Sequence, residues 1–300
     1  CMFNGFRSNI LSNFILQFWL LITQLVLIPI YVKYLGVEQY GLIGFYASLQ
    51  SIFLLLDLGM SSTITQEIAK ENESLEKKHR IVNLTFTLEC IYWTLSIIAF
   101  LVLFLLANFL AKTWFIDSNL SQEKIAYCVQ LMSVLLFFRL PLGLYIGAMT
   151  GLQHQSILNY FSLTVELLKF ISILLSFIYF NGDIVSFLII QICFSILLIF
   201  GLRIFVWMKI NMLKLKAMWS YFLLQDVRKF SLGVAGITIA SIILTQADKF
   251  ILVNFISLKD FGYYTLAFSI ASMPSKIVGT RATVFYPKLV KQFSINNLKE

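Results

Sequence analysis

Long apolar runs separated by short polar segments dominate the pattern of this 300-residue chain. A bilayer core about 30 Å thick needs roughly 20 apolar residues for one helical crossing. The runs are continuous and lack the period-2 alternation of barrel strands, so they predict helices and disfavour a β-barrel. Eight runs are long enough to span, and they cover residues 10–31, 41–64, 83–110, 126–150, 157–180, 184–207, 230–256 and 261–285.

Composition supports an all-α polytopic membrane protein. The chain is 59% hydrophobic and 13% charged, with a mean hydropathy of +0.84. Soluble domains are nearer 45–50% apolar and about 25% charged. The run at 10–31 is too long for a signal-peptide core and lacks a small-residue cleavage site, so we expect it to remain as the first span.

The distribution of lysine and arginine predicts the orientation of the chain. With the amino terminus in the cytoplasm, thirteen basic residues fall in inside loops and four fall outside. The outside residues are Lys33, Lys112, Lys124 and Lys259. Positive charge collects on the cytoplasmic side of membrane proteins, so this orientation is favoured. It also accounts for the net charge of +8 without a nucleic-acid partner.

The sequence contains no recognisable pattern of catalytic or metal-binding residues. Its four cysteines form no CxxC pair, and its two histidines lie in short loops without acidic or cysteine partners at ligand spacing. We find no GxSxG, HExxH, Walker A or dinucleotide motif. The sequence therefore predicts no catalytic residue, no metal and no cofactor.

Two segments far apart in the chain resemble one another. "KYLGVEQYGLIGFYAS" at 33–48 aligns with "NFISLKDFGYYTLAFS" at 254–269 after a shift of 221 positions. Gly41 then meets Gly262, and Ser48 meets Ser269. Both copies enter the membrane in the same direction, which predicts a parallel repeat about an axis along the membrane normal. The alternative is that two apolar hairpins look alike by chance.

The repeat predicts a division of the chain into lobes. Residues 1–207 form a complete six-helix lobe, and residues 230–300 form the first two helices of a second lobe. A repeat of about 221 residues would need roughly four more helices, so we expect this eight-helix form to be truncated and unable to restore transport alone. The segment 208–229 mixes basic and aromatic residues, which favours an amphipathic helix on the cytoplasmic leaflet over a solvated linker.

Four blocks, taken in order, carry a family resemblance over about residues 9–289. They are "YLGVEQYGLIGFYASLQSIFLLLDLGMSSTITQEIA", "FFRLPLGLYIGAMTGLQHQSILN", "TQADKFILVNFISLKDFGYYTLAFSIA" and "VFYPKL". They resemble O-antigen flippases of the Wzx type, in the polysaccharide-exporter branch of the multidrug/oligosaccharidyl-lipid/polysaccharide transporter superfamily.

The resemblance implies a fold and an activity. The fold is a two-lobe helical bundle around a central cavity. The activity is transfer of undecaprenyl-pyrophosphate-linked oligosaccharide from the cytoplasmic to the periplasmic face of the bacterial inner membrane. Expected partners are that lipid-linked substrate, membrane lipids, a polysaccharide polymerase and a chain-length regulator. Asp57 matches a recurring acidic position of the second helix, and Asp248 with Lys249 matches a recurring pair of the seventh.

An anionic pyrophosphate requires cations along its route through hydrocarbon. The candidates within the spans are Arg139, Lys169, Lys249 and Lys276. Arg139 lies midway along its helix, next to the kink-forming Pro141. Gly143, Gly147 and Gly151 then recur every fourth residue and predict a smooth face for close helix packing. The alternative for Arg139 is a structural ion pair with Asp57 or Glu166.

The intramembrane carboxylates Asp57, Glu166 and Asp248 are candidates for coupling to a proton or sodium ion, or for charge pairing. Glu166 and Lys169 are three residues apart on one helix face and can neutralise one another. Arg203 and Glu89 lie nearer helix ends, so we expect both to extend toward the headgroups.

Two other functions remain open from the sequence. A multidrug or cation antiporter of the same superfamily would favour an acidic cavity, and the four intramembrane cations argue against it. A membrane O-antigen polymerase or glycosyltransferase would need a large outer loop, and the predicted outer loops are all short.

Overall fold

The computed structural model describes residues 2–69, 75–115, 118–180, 182–211 and 215–272, and within them all regular structure is helical. Six helices are long and apolar enough to cross a membrane, so the polytopic all-α prediction is confirmed. These candidate spans are Leu11–Asp57, Leu75–Trp114, Gln122–Gly151, Gln155–Tyr179, Ile184–Ile210 and Tyr221–Val253. The predicted count of eight differs because the first two runs join into one element and the eighth extends past the described residues.

The first element, α1 (Met2–Phe53), consists of two helical arms that meet at Gly36. Gly36 has φ 77° and ψ 166°, a conformation essentially restricted to glycine. The predicted outer loop at 32–40 is therefore a sharp kink with helix on both sides. A single glycine lets the chain change direction without a loop.

The second predicted span, 41–64, is not one continuous helix. A 3-10 turn (Leu54–Asp57) follows α1, and Leu58 and Gly59 then take positive φ values of 48° and 72° before α2 (Met60–Ala69) begins. Non-helical backbone at membrane depth is tolerated only where it is buried in protein or lines a cavity. The break therefore marks a place where the helix bundle needs irregular backbone.

Six further helices complete the described fold. They are α3 (Leu75–Trp114), α4 (Gln122–Gly151), α5 (Gln155–Tyr179), α6 (Ile184–Ile210), α7 (Tyr221–Phe255) and α8 (Leu258–Ala271). Successive long helices alternate in direction, so the bundle has two ends. We call the end that holds Gly36 and the start of α8 the kink end. The opposite end, which holds the α6–α7 connection, is the linker end.

Buried apolar side chains form two clusters in this bundle. One includes Phe45, Phe115 and Phe261 toward the kink end, and the other includes Tyr92 and Tyr145 toward the linker end. Each of these five side chains is at most 3% exposed, although most helix faces toward the lipid remain apolar and exposed. The bundle thus has a packed interior, and its outer surface exposes apolar side chains as a bilayer requires.

Polar side chains of α1 hold the kink end together. The Glu38 carboxylate accepts hydrogen bonds from the Ser118 hydroxyl at 2.7 Å and from the Asn119 backbone N–H at 2.6 Å. The Gln39 amide oxygen accepts from the Ile184 N–H at 3.1 Å. Two adjacent residues therefore tie the α3–α4 connection and the start of α6 to the kink.

Asp183 caps the start of α6. Its carboxylate accepts from the Ser186 N–H at 3.1 Å and pairs with the Lys124 ammonium at 2.9 Å. Burial raises the pKa of Asp183, but the hydrogen bonds from Lys124 and Ser186 outweigh it and leave that pKa below its ordinary value.

In the described part of 208–229, the predicted amphipathic helix is not a separate element, because residues 208–210 belong to the end of α6. Residues 215–220 are non-helical, and Tyr221 already begins α7. The backbone N–H groups of Met218 and Ser220 donate to the Asn83 amide oxygen at 2.8 Å and the Thr87 hydroxyl at 3.1 Å. These acceptors lie one turn apart on α3, so side chains of α3 satisfy linker backbone that a helix would have satisfied internally.

The glycine stripe of α4 packs directly on α2, as its spacing predicts. A Cβ atom on Gly147 would lie 2.4 Å from the Ser61 carbonyl oxygen, and one on Gly151 would lie 2.8 Å from that of Thr65. The Thr65 hydroxyl also donates to the Gly147 carbonyl at 2.9 Å. Glycine therefore permits a backbone approach that any side chain would prevent.

The two copies of the repeat pack against each other. A Cβ on Gly41 would lie 2.6 Å from the Leu258 carbonyl oxygen, and one on Gly262 would lie 2.2 Å from that of Val37. Val37 and Leu258 are themselves equivalent under the 221-residue shift. The contact is therefore reciprocal, as a two-fold axis requires. Both helices start at the kink end, which supports the parallel form of the repeat.

Candidate functional site

A cavity of about 290 Å³ adjoins the break between α1 and α2. Residues of α1, the 3-10 turn, α2 and α4 line it together with two from α7. We call it the Arg139 cavity, and its lining includes Gln50, Asp57, Ser61, Arg139, Val234 and Thr238. Because α7 follows the linker, this cavity lies where the two predicted lobes meet.

Arg139 is an exposed side chain on this cavity, held by a neutral partner. With the Gln50 amide oxygen turned toward the guanidinium, that oxygen accepts from Nε at 2.6 Å and Nη2 at 3.1 Å. Arginine has five N–H donors, so three remain for a ligand. Within the described ranges no carboxylate forms an ion pair with Arg139, so the alternative of a structural pair with Asp57 or Glu166 is not formed there.

Asp57 shares the Arg139 cavity but is held by hydroxyl groups. Its carboxylate accepts from the Ser61 hydroxyl at 2.8 Å and from the Tyr92 hydroxyl. A Cβ on Gly143 would lie 3.4 Å from Asp57 Oδ1, so the start of the glycine stripe is in contact with this acid. A positive and a negative side chain thus face one cavity, and each keeps hydrogen-bonding capacity for a ligand or an ion.

A second cavity of about 310 Å³ lies nearer the kink end. Both arms of α1, together with α5, α6 and α8, line what we call the Tyr31 cavity. Its polar lining includes Thr23, Tyr31, Tyr40, Glu166, Lys169 and Gln191. The Lys169 ammonium and Glu166 Oε1 are 2.7 Å apart, which confirms the local pair that their spacing predicts.

Asp248 and Lys249, the charged residues in the second half of α7, contact aromatic side chains of α8. Asp248 accepts a hydrogen bond from the Tyr264 hydroxyl. Lys249, only 7% exposed, donates to the Gln246 amide oxygen at 2.8 Å, and its ammonium lies 3.6 Å from the Phe268 ring centroid. That distance is well within cation–π range. Neither charge lines the two cavities above, and the fourth predicted cation, Lys276, lies outside the described residues.

The repeat relates Asp248 and Lys249 to two residues of the first copy. Under the 221-residue shift, Asp248 corresponds to Leu27 and Lys249 to Ile28, and both of those residues line the Tyr31 cavity. Lys249 and Asp248 therefore occupy, in the second copy, the surface that forms a cavity in the first.

Sequence reasoning missed a buried carboxylate cluster at the α3–α4–α6 interface. Glu89 and Arg203 were expected to extend toward the headgroups. Glu89 is instead buried and accepts from Tyr145 Oη at 2.9 Å, Arg203 Nε at 2.5 Å and Trp207 Nε1 at 2.7 Å. A buried carboxylate requires such partners. The four-residue spacing of Arg203 and Trp207 on α6 is the signal that could have indicated it.

The six long apolar helices define a multi-pass membrane protein. The chain belongs to the family described as "Polysaccharide biosynthesis protein", which matches residues 6–293. The polysaccharide-exporter resemblance read from the sequence is confirmed, and the protein is a polysaccharide transporter of the flippase type, a family of transporters rather than a class of enzymes. Searches of curated proteins and of solved structures gave no match.

Proposed function

We propose that the protein moves an undecaprenyl-pyrophosphate-linked oligosaccharide of the O-antigen type from the cytoplasmic to the periplasmic face of the inner membrane. In this proposal the amino terminus and the linker end are cytoplasmic. The observation that carries the proposal is the position of Arg139. It is an intramembrane cation on an open cavity at the lobe boundary, with three donors that no described carboxylate takes.

The chemistry of Arg139 suits a pyrophosphate. A charge at mid-membrane costs about 2.5–3.5 kcal/mol on insertion scales, so such residues mark functional sites by default. The planar guanidinium can donate two parallel hydrogen bonds to phosphate oxygens, which a point charge such as lysine cannot match. The broken helix beside it is the kind of discontinuity that marks substrate sites in transporters.

Asp57 is the best placed of the three candidate coupling residues. Its carboxylate faces the same cavity as Arg139, so a phosphate bound there would be repelled unless Asp57 binds a proton or a sodium ion. By reciprocity, the ion and the substrate then affect each other's affinity by equal factors. The membrane potential adds about 2.3 kcal/mol per charge per 100 mV in favour of an outward-moving anion.

The other charged candidates have secondary roles in this proposal. Glu166 and Lys169 neutralise one another, and Lys249 serves the second half of the path. Asp248 and Lys276 belong to the same half of the chain.

The proposal is tested by export in a strain that lacks its own flippase, with the full-length protein quantified in the membrane. Arg139→Ala should lower export per folded molecule roughly 10- to 100-fold, because hydrogen bonds to charged groups contribute about 1.5–3 kcal/mol. Arg139→Lys keeps the positive charge but loses the planar pair of N–H donors, so it should retain partial activity.

Arg203→Ala is the matched control. It also removes an exposed arginine from a membrane helix, but one that pairs with the buried Glu89. We expect it to lower protein abundance while leaving export per molecule near normal. Normal export per molecule in Arg139→Ala would contradict the proposed anion site.

A further inference from the structure

The two cavities are neighbours along the second arm of α1. Ala47 lines the Tyr31 cavity and Gln50 lines the Arg139 cavity. Residues three apart share a helix face, and they are separated by about 4.5 Å along the helix axis. The two cavities therefore adjoin the same face of α1 on successive turns.

The Tyr31 cavity holds polar groups with unused hydrogen-bonding capacity. In the described part of the chain, neither the Tyr31 hydroxyl nor the Gln191 amide forms a hydrogen bond, although both side chains line the cavity. The Glu166–Lys169 pair joins Nζ to Oε1 and leaves Oε2 and further ammonium donors. Polar groups at such depth need partners, and ligand hydroxyls can replace the water that otherwise satisfies them.

The charges in the Tyr31 cavity indicate which part of a lipid-linked sugar it can bind: the phosphates, the hydrocarbon chain or the sugar. Glu166 and Lys169 are the acidic and basic residues that line the cavity, and their opposite charges cancel. A phosphate would therefore gain no net electrostatic attraction there. A hydrocarbon chain would leave the amide, the phenol and the ion pair without partners. A neutral ligand rich in hydroxyl groups satisfies all of them.

The shape of the cavity agrees with that selection. Phe170 and Phe187 add two aromatic side chains to the polar lining, which suits the apolar C–H face of a sugar ring. A volume of about 310 Å³ lies at the low end of the range of about 300–1,000 Å³ for ligand pockets. It therefore suits the sugar end nearest the pyrophosphate rather than a whole repeat unit.

We propose that the Tyr31 cavity is a saccharide subsite, which binds the pyrophosphate-proximal sugar while Arg139 binds the phosphates. The inference rests on the proposed function. It also sets the direction of the substrate, because the Tyr31 cavity lies toward the kink end. Tyr40 and Ser269 line it there, and their side-chain oxygens are 3.4 Å apart. The sugar thus lies ahead of the pyrophosphate on the way to the periplasm.

The test compares two ligands on the purified full-length protein in lipid nanodiscs. One is undecaprenyl pyrophosphate, and the other is the same lipid carrying the oligosaccharide accumulated by a flippase-deficient strain. Tyr31→Phe and Gln191→Ala should each weaken binding of the glycosylated lipid about tenfold and leave binding of the bare lipid unchanged. Tyr31→Phe removes a single hydroxyl and keeps the ring packing on Phe177 and Phe187, so folding is preserved.

Two controls separate this inference from the proposed function. Gln130→Ala removes an amide that lines neither cavity and should change neither affinity. Arg139→Ala should weaken both ligands equally. If Tyr31→Phe and Gln191→Ala affect both ligands alike, or neither, the saccharide subsite is wrong. If Arg139→Ala changes neither affinity, the anion site fails, and the two cavity variants still decide the subsite.

Discussion

The two copies of the repeat share a packing surface but not the chemistry around it. In both, a glycine lets a helix approach the carbonyl of the equivalent residue in the other copy. The turns before them differ, because the first copy turns at Gly36 with φ 77° and the second turns through extended Ile256 and a Ser257 cap. The reciprocal contact demands glycine, whereas the turn can be made in more than one way.

The polar residues after each turn differ as well. Glu38 and Gln39 bind the neighbouring helix connections of the first lobe. Their equivalents are Lys259 and Asp260, and Asp260 instead bonds the Ser257 hydroxyl that caps its own helix. In the first copy these side chains therefore bind other parts of the lobe. In the second copy, within the described residues, Asp260 binds only its own helix cap.

The charges are also distributed differently. The first copy has apolar Leu27 and Ile28 on its cavity, and α5 supplies the ion pair. The second copy has Asp248 and Lys249 at the equivalent positions. The same surface of the repeat thus carries apolar side chains in the first copy and charged side chains in the second.

The largest expected effect comes from filling the reciprocal contact. Gly41→Leu and Gly262→Leu each force a side chain against a backbone carbonyl, so each should lower stability by about 1–3 kcal/mol or more, as overpacking does. The two losses should be similar and should not add in the double variant, because both variants open the same contact. Thermal unfolding of the purified protein measures this.

Gly233→Leu is the control for that pair, since none of the residues that the structure describes places another group within 4 Å of a Cβ at this α7 glycine. It should be neutral or slightly stabilising. A loss confined to Gly41→Leu, with Gly262→Leu behaving like Gly233→Leu, would show that the contact is not reciprocal.

An intermediate effect is expected at the turns. Gly36→Ala places a side chain in a glycine-only conformation and should cost about 1–3 kcal/mol, although the space around a Cβ there is open. Ser257→Ala removes a helix cap and should cost about 1 kcal/mol. The same unfolding measurement ranks the two. Equal losses would mean that the kink at Gly36 is not under backbone strain.

The smallest expected effect is on export, and it comes from Lys249 in the second copy of the repeat. Lys249→Met keeps the apolar stem and removes the charge, and it should lower export per molecule about tenfold, equivalent to about 1.4 kcal/mol. Lys259→Met removes an exposed lysine at the kink end and should have no effect. If Lys249→Met changes only stability, the ammonium serves packing on Phe268 alone.

The sequence predicts those features that are local or periodic. The apolar runs indicate the helices, a four-residue spacing indicates the glycine face of α4, and a three-residue spacing indicates the Glu166–Lys169 pair. The break at 54–59 is hidden within an apolar run, although its "DLG" contains the glycine that the turn uses.

Other features depend on contacts between distant segments. Glu89 and Arg203 are 114 positions apart, so the spacing of Arg203 and Trp207 on α6 could indicate two donors on one face but could not identify Glu89 as their acceptor. The linker is basic and aromatic like an amphipathic helix, but acceptors on α3 determine its extended path. The Tyr31 cavity likewise needs four helices to bring its polar groups together.

The way in which the linker is held has a consequence for its evolution. Asn83 and Thr87 bind backbone N–H groups of Met218 and Ser220, so the contact does not depend on which side chains the linker carries. Substitutions at these two positions are therefore free to accumulate, with proline as the exception because it has no N–H to donate. The position of the linker therefore depends on α3, and the side chains of Met218 and Ser220 can be redesigned as long as Asn83 and Thr87 are kept.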